Sequence, residues 1–433
     1  MEGQMKKDLF KRLIVDFQEK ELSHVVDRDI SIPLDVNKIV SLVGVRRCGK
    51  THVLYSLINS LRKDLDRRNI VYVNLEDDRV FPLQSGDLGV FLDAYYELHP
   101  AKKKETVYFF FDEIQNAPHW EKFVRRLYDT ENCRVYITGS SAKLLSKEIA
   151  TALRGRTLTY EVFPLSFKEF LKFKGIKVNL HSSGSLANIK NAFAEYASKG
   201  GFPETVGLSE DLFIRTLQEY LDLIMYRDVV ERYNVTNTFL LKFLFKYCFA
   251  NFSTSVSFNK LYNDFRSQGL QVSKNTVYDY VTYLEDAYAL FTIPIYSSSV
   301  REGMRNPKKL YSVDTGFKKV VDMPLSSDIG RIYENIVFLQ IRRNIRDIFY
   351  FKGKQEVDFY YVKDSMKHLV NVCYDLEQPA TRQREVKGLT EAMKFLNISK
   401  GYILTSEQEE EIEIEGGIIS VLPLWKWLLE GDC

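Results

Sequence analysis

Short, wholly apolar runs alternate with longer stretches of helical periodicity through the first third of the chain. Lys38–Val43 (KIVSLV), Ile70–Leu75 (IVYVNL), Thr106–Phe111 (TVYFFF) and Arg134–Thr138 (RVYIT) each have strand length and strand composition. A charged amphipathic helix opens the chain, and a helix over Thr51–Lys63 follows the first strand. Strands that are apolar on both faces and separated by helices predict a parallel sheet covered on both sides.

The pattern then changes. From Leu165 to Tyr233 it is mostly helical, interrupted at Ser183-Gly184 and at Gly200-Gly201-Phe202-Pro203. Helices are predicted over Thr238–Phe249, Phe258–Gln268 and Lys274–Ala287, followed by strand-like Phe291–Ser297 and Lys309–Val313. A last unit runs as helix Arg331–Arg343, strands near Ile348–Phe351, Glu356–Tyr361 and Leu369–Cys373, helix Arg382–Leu396 and strand Gly401–Leu404. There is no internal repeat and no low-complexity linker.

At 433 residues the chain exceeds one ordinary core, and 45% hydrophobic with 27% charged residues is a soluble, globular balance. The net charge of +2 excludes a wholesale polycation but leaves room for a local basic patch. Cys48, Cys133, Cys248, Cys373 and Cys433 contain no close pair, which speaks against a disulfide framework or a zinc site. The start lacks a signal peptide's apolar stretch, and no run approaches the roughly 20 apolar residues of a membrane span. A cytoplasmic location is expected. The acidic run around Glu407–Glu415 reads as a solvated strand or turn.

Chemistry enters at the end of the first strand. Gly44-Val45-Arg46-Arg47-Cys48-Gly49-Lys50-Thr51 has the spacing GxxxxGK[ST] between a strand and a helix. Glycines let the backbone wrap a phosphate at a helix N-terminus, the lysine reaches the outer phosphates, and the hydroxyl ligates Mg²⁺. Gly44, Arg47, Cys48, Gly49, Lys50, Thr51 and His52 are therefore the expected ATP contacts. Asp112 and Glu113 emerge at the C-terminal end of the third strand, where open α/β sheets place ligands. Asp112 joins Thr51 as a Mg²⁺ ligand, and Glu113 is placed to polarise the attacking water. The fourth strand ends in Thr138-Gly139-Ser140-Ser141, of which Ser140, with Ser141 close behind, is chosen to touch the γ-phosphate or the water. Arg154 and Arg156 are candidates to stabilise the transferring phosphoryl group.

With these residues the chain resembles the prokaryotic AAA+ ATPases that carry a C-terminal winged-helix and nuclease-like domain. The matching pieces are GVRRCGKT, FFFDEIQN, ITGSSAKLLS, LRGRT, FPLSFKEFL, GGFPE, YRDVVERY, YSVDTGF, GRIYENIVFLQIRR and KGKQEVDFYYV, in that order. The resemblance implies an α/β fold: an AAA+ P-loop core with a parallel sheet over 1–164, a helical lid and connector over 165–236, a winged helix over 237–325 and a restriction-endonuclease-like domain over 326–433. It also implies homo-oligomers, plausibly hexameric rings, in which Arg156 completes a neighbour's site.

The winged helix also follows from the residues. Ser257 and Ser273 are placed to cap two helices, Gly269 makes the turn between them, and Val277, Val281 and Leu284 form a buried face. Lys274 and Asn275 stand at the start of the second helix, able to reach DNA. Arg301, Arg305, Lys308 and Lys309 make the expected wing basic, a pattern that binds phosphate without sequence preference.

The last unit has the element order of a restriction-endonuclease core, whose sites need carboxylates on adjacent strands, Mg²⁺ and a lysine. Glu334 and Asp358 match two acids. The next strand offers Asn371 and Cys373 where an acid and a lysine belong, so cleavage is not expected; Asp375 shares the strand parity and is a substitute ligand. The expected function is a Mg²⁺-dependent AAA+ ATPase that binds DNA, branched forms included. A nucleotide-gated signalling or defence switch that binds protein, and an ATP-dependent nuclease, are the rivals.

Overall fold

The computed structural model describes residues 2–22, 25–139, 153, 155–297, 299, 307–321 and 329–430. The chain divides into two compact units, Met1–Phe163 and Pro164–Cys433. The three segments read from the sequence beyond residue 164 thus share one compact unit.

The first unit is built on a parallel sheet of β1 (Ile39–Val43), β2 (Ile70–Asn74), β3 (Val107–Asp112), β4 (Cys133–Gly139) and β5 (Thr157–Glu161), in the order β2-β3-β4-β1-β5. Every residue of β1 is buried, as its unbroken apolar run requires. β5 was not foreseen: its residues are only half-buried, so TLTYE carries no apolar signal, and pairing with β1 makes it a strand. Helices α1 (Glu2–Glu19), α2 (Lys50–Leu61), α3 (Asp87–Leu98) and α4 (Trp120–Thr130) accompany the sheet. Phe10 of α1 meets Phe91 of α3 edge to face, with ring centroids 5.4 Å apart.

The second unit begins with α5 (Phe167–Phe173), held by a reciprocal capping box between Ser166 and Glu169, then α6 (Ser183–Lys199) and α7 (Glu210–Leu223). A π-helical stretch, Ile224–Glu231, continues from α7. The Gly200-Gly201 break after α6 has a steric cause. A Cβ on Gly200 would fall 1.7 Å from Oδ1 of buried Asp314, whose two carboxylate oxygens accept from Gly201 N (2.7 Å) and Gly316 N (2.8 Å).

Helices α8 (Thr238–Ala250), α9 (Phe258–Ser267) and α10 (Lys274–Asp286) follow, with the antiparallel sheet of β6 (Ser255–Val256), β7 (Leu290–Ile293) and β8 (Lys308–Ser312) in the order β6-β8-β7. Ser257 and Ser273 cap α9 and α10 through Lys260 N and Thr276 N, and Gly269 adopts φ +81° in the turn between them. After α11 (Phe317–Val321) and α12 (Ile329–Arg342) comes a second sheet: β9 (Ile348–Lys352), β10 (Glu356–Lys363), β11 (Met366–Val372), β12 (Lys400–Thr405), β13 (Glu410–Ile414) and β14 (Gly417–Pro423). Its order is β13-β14-β12-β11-β10-β9, with α13 (Pro379–Leu396) between β11 and β12 and α14 (Leu424–Glu430) at the end. Leu389, Ala392 and Met393 of α13 pack with Val357, Leu369, Ile403 and Ile419 of the sheet in one apolar cluster. Part of the acidic run forms β13, which pairs with β14, a strand the sequence reading did not include.

Candidate nucleotide site

The loop leaving β1 needs backbone that other residues resist. Gly44 has φ +154°, and a Cβ there would lie 2.1 Å from the Val162 carbonyl oxygen. Arg47 (φ 65°) and Gly49 (φ 102°) are left-handed, and Gly49 delivers the chain into α2. The first N–H groups of an α-helix have no partner within it and carry the positive end of its dipole, and in α2 they follow directly on this loop. Lys50 is 5% exposed, and its ammonium donates to the Gly44 and Val45 carbonyl oxygens, both at 3.0 Å. These carbonyls are its hydrogen-bond partners among the described residues. A buried cation held only by backbone oxygens is under-compensated, which is the electrostatic demand a phosphate meets. Cys48 takes part through its backbone: its side chain is buried, and burial pushes its thiol pKa up. His52 and Arg47 are exposed at the rim.

Asp112 ends β3 with 1% exposure. Thr51 Oγ1 (2.7 Å) and Tyr72 OH (2.9 Å) donate to its Oδ2, and Thr138 Oγ1 donates to Oδ1. Burial raises the Asp112 pKa, the Glu113 carboxylate adds to the rise, and the three hydroxyls oppose it. Thr138 also accepts from Glu113 N at 2.9 Å. Glu113 itself is left-handed (φ 53°), a conformation that costs a non-glycine residue of order 1–3 kcal/mol, and its Oε2 accepts from Gln115 Nε2 at 2.5 Å. A threonine hydroxyl beside a carboxylate is a hard-oxygen pair suited to Mg²⁺. The residues present therefore fit a Mg²⁺–nucleotide.

Three participants were missed in the sequence. Tyr72 lies within an apolar strand, where its hydroxyl was the one cue. Thr138 was passed over for Ser140, which lies outside the described residues. Arg28 donates from Nη1 to the Cys48 carbonyl (2.9 Å) and from Nη2 to the Phe163 carbonyl (2.6 Å), bracing the loop from a segment with no motif.

Comparison with known proteins places this geometry. Residues 36–171 match a family model described as an AAA domain, and residues 190–323 match one described as a domain of unknown function. The chain is 38% identical over 438 aligned residues to an uncharacterized protein of Methanocaldococcus jannaschii, covering 98% of this chain and 96% of the relative. It is 30% identical over 402 aligned residues to an uncharacterized protein of Haemophilus influenzae, covering 92% and 95% respectively. The chain belongs to their family. Among solved structures, the Aeropyrum pernix ORC1 protein in complex with DNA is similar at 11% identity and a TM-score of 0.32, over 66% of this chain and 86% of that one.

Within the AAA domain, Arg156 directly precedes β5 and pairs with Asp129 at 3.1 Å. Since Ile39 pairs with Thr157, Arg156 sits at the N-terminal edge of the sheet, and the phosphate loop leaves the C-terminal edge. A five-residue strand separates the two edges by about 16 Å, so Arg156 is remote from the nucleotide loop of its own chain. Arg154 lies outside the described residues.

The DNA set is only partly assembled. Lys274 and Asn275 are exposed at the start of α10, with the Lys274 ammonium 6.0 Å from the Tyr278 ring centroid. Lys308 is half-buried, and Arg301 and Arg305 lie outside the described residues. Lys309 is a correction. It is 2% exposed, and its ammonium lies 2.7 Å from Asp358, 2.8 Å from Glu356 and 3.0 Å from Glu334. Strand alternation turns neighbours to opposite faces, so Lys308 and Lys309 cannot both belong to one solvated patch.

Glu334 and Asp358 are thus brought together, as expected, but around a lysine from another sheet. Asn371 Oδ1 accepts from Asp358 N (3.0 Å) and its Nδ2 donates to Glu385, a helical acid the sequence reading did not include. Cys373 points elsewhere, its Sγ donating to the Asp375 carbonyl at 3.1 Å. Asp375 lies beyond the end of β11 and accepts from Glu377 N. Among the described residues no helix is long and apolar enough to cross a membrane.

Proposed function

We propose that the chain is a Mg²⁺-dependent ATPase that works as a homo-oligomer and binds DNA through its C-terminal unit. The observation that carries the ATPase reading is the pairing of an under-compensated Lys50 in the glycine loop with the Thr51–Asp112 bond beside it. ATP would lie with its outer phosphates on Lys50 and the N–H groups of the loop, and Mg²⁺ on Thr51 and Asp112. Held there by Thr51 and Asp112, Mg²⁺ would neutralise charge on the phosphates. Glu113 accepts a proton from the attacking water, and Thr138 fixes the backbone from which Glu113 projects. Ser140 retains its proposed place near the γ-phosphate. Arg156, a strand's length from its own loop, is assigned to the nucleotide of a neighbouring copy, which makes hydrolysis depend on assembly.

The α8–α10 helices with the β6-β8-β7 sheet support a winged-helix reading, with Lys274, Asn275 and Lys308 as its DNA contacts and Arg301 and Arg305 proposed beside them. The unit of α12, β9–β11, α13 and β12 supports a nuclease-like reading of the fold, without cleavage. Burial of Lys309 subtracts charge from the proposed DNA face, which favours, as a second reading, a nucleotide-gated switch that binds protein. ATPase rates measured with single-stranded, duplex and four-way DNA separate the two. Stimulation by DNA supports the first reading, and a rate indifferent to every DNA moves the assignment to the switch. No turnover at all, with Lys50→Ala binding ATP as the parent does, would reject the ATPase itself.

A further inference from the structure

Lys309 lies on β8, the central strand of the small sheet, yet its partners are on α12 and β10. Its side chain is 3% exposed, and those of Glu334 and Asp358 are 12% and 14% exposed. Glu334 and Asp358 accept hydrogen bonds from the Lys309 ammonium, and Glu356 makes an ion pair with it. Two of the carboxylates also accept from other donors. Tyr311 OH donates to Glu334 Oε1 at 2.7 Å, and Val372 N donates to Asp358 Oδ2 at 2.8 Å. Glu385 is taken by Asn371 and by Arg384, whose Nη2 lies 2.6 Å from Oε1.

This arrangement does not fit the divalent metal that a nuclease-like site implies. A cation already stands where the carboxylates converge, and a second one beside it would be repelled at short range in a poorly screened environment. Among the described residues, no group of three or more His, Cys, Asp or Glu is disposed to hold a metal ion. Burial opposes the charged form of Lys309, and the carboxylates of Asp358, Glu334 and Glu356 favour it.

We infer that Lys309 is the built-in cation of this acid cluster, replacing a divalent metal and fastening the small sheet to the nuclease-like sheet. The site is filled by the chain itself. Lys309→Met deletes the charge and keeps most of the length of the side chain, leaving three carboxylates with no cation among them.

The test compares thermal midpoints of the nucleotide-free full chain with and without millimolar MnCl₂ or CaCl₂. Lys309→Met should melt several degrees lower than the parent, because three carboxylates are left with no cation between them, and metal should move both midpoints alike. The double variant Lys309→Met/Asp358→Asn should recover part of the loss. A Lys309→Met protein that melts like the parent would overturn the proposal. If Lys309→Met does not fold, Mn²⁺ binding to the wild-type chain, followed by electron paramagnetic resonance, decides. A bound fraction that disappears in Asp358→Asn, or metal-dependent DNA nicking that disappears with it, would show an open metal site and reject the lysine as its occupant. Mn²⁺ binding unaffected by Asp358→Asn supports it.

Discussion

Thr51 and Asp112, 61 positions apart in the chain, are joined by a 2.7 Å hydrogen bond from Oγ1 to Oδ2. The bond brings the first turn of α2 to the end of β3, and Tyr72 steadies the same carboxylate oxygen from β2. Tyr72 is thus a positioning residue for the proposed Mg²⁺ ligand. Tyr72→Phe removes one hydroxyl and little volume, so the fold should persist. The Mg²⁺ concentration giving half-maximal ATPase activity should rise, by the 10–100-fold or so typical when a metal ligand is deprived of its hydrogen-bond partner. An unchanged Mg²⁺ dependence would remove Tyr72 from the site.

Lys50→Ala should abolish ATP binding, and Glu113→Gln should preserve it while slowing turnover by roughly 10²–10⁴-fold, the usual worth of a positioned general base. Binding of a fluorescent ATP analogue and release of phosphate report the two effects separately. Parental turnover in Glu113→Gln would show that another group activates the water.

Gly44→Ala places a methyl group 2.1 Å from the Val162 carbonyl oxygen. The strand β1, or the backbone beside Val162, must shift to accept it. Overpacking of this kind costs about 1–3 kcal/mol, and the loop should lose its phosphate-binding shape with it. Urea denaturation and the nucleotide-binding assay check both, and a variant matching the parent in each would refute the packing argument.

Burial holds the Asp314 carboxyl up at about 7, against an ordinary 3.8, with the Gly201 and Gly316 N–H groups opposing the rise. The folded state therefore keeps a proton that the unfolded state has released. Asp314's contribution to stability is fully present below its unfolded pKa and is lost as pH rises to about 7, at no more than about 1.4 kcal/mol per pH unit. Asp314→Asn cannot titrate. It should be less stable than the parent at low pH, because one N–H then faces an amide donor, and this part of the pH slope should vanish. Urea midpoints from pH 4 to pH 8 for both proteins measure it; identical slopes would mean that Asp314 does not titrate in this range.

For DNA binding, Lys274 and Lys308 replace the Lys308/Lys309 pair suggested by sequence, since altering Lys309 would disturb a buried cluster. Lys274→Glu and Lys308→Glu should each weaken duplex binding irrespective of sequence. Removing one lysine–phosphate pair should flatten the slope of log K against log salt by about 0.9. Fluorescence anisotropy over a salt series gives the slope, and slopes equal to the parent's would favour the protein-binding switch.

The nucleotide loop was legible because its chemistry is local. Gly44 to Thr51 are contiguous, and the apolar run before them and the helix after them need no knowledge of the rest of the molecule. The caps Ser257 and Ser273 were legible for the same reason, each bonding an N–H three residues on. β5 was not, because a half-buried edge strand is made by its pairing with β1 rather than by its own composition.

What surrounds Asp112 depended on strand order. β4 lies between β3 and β1, so Thr138 reaches the carboxylate, and β2 on the other flank supplies Tyr72. No spacing rule relates these positions. At Lys308 and Lys309 the order of residues alone dictates two adjacent positive charges where a predicted loop meets a predicted strand. Their separation to opposite faces follows from the pleat once β8 is a strand, but which face meets acids was settled by the packing of β8 against α12 and β10. There Glu334, Glu356 and Asp358 lie close enough to compensate an ammonium for leaving water, and a charge that reads as solvated becomes part of the interior.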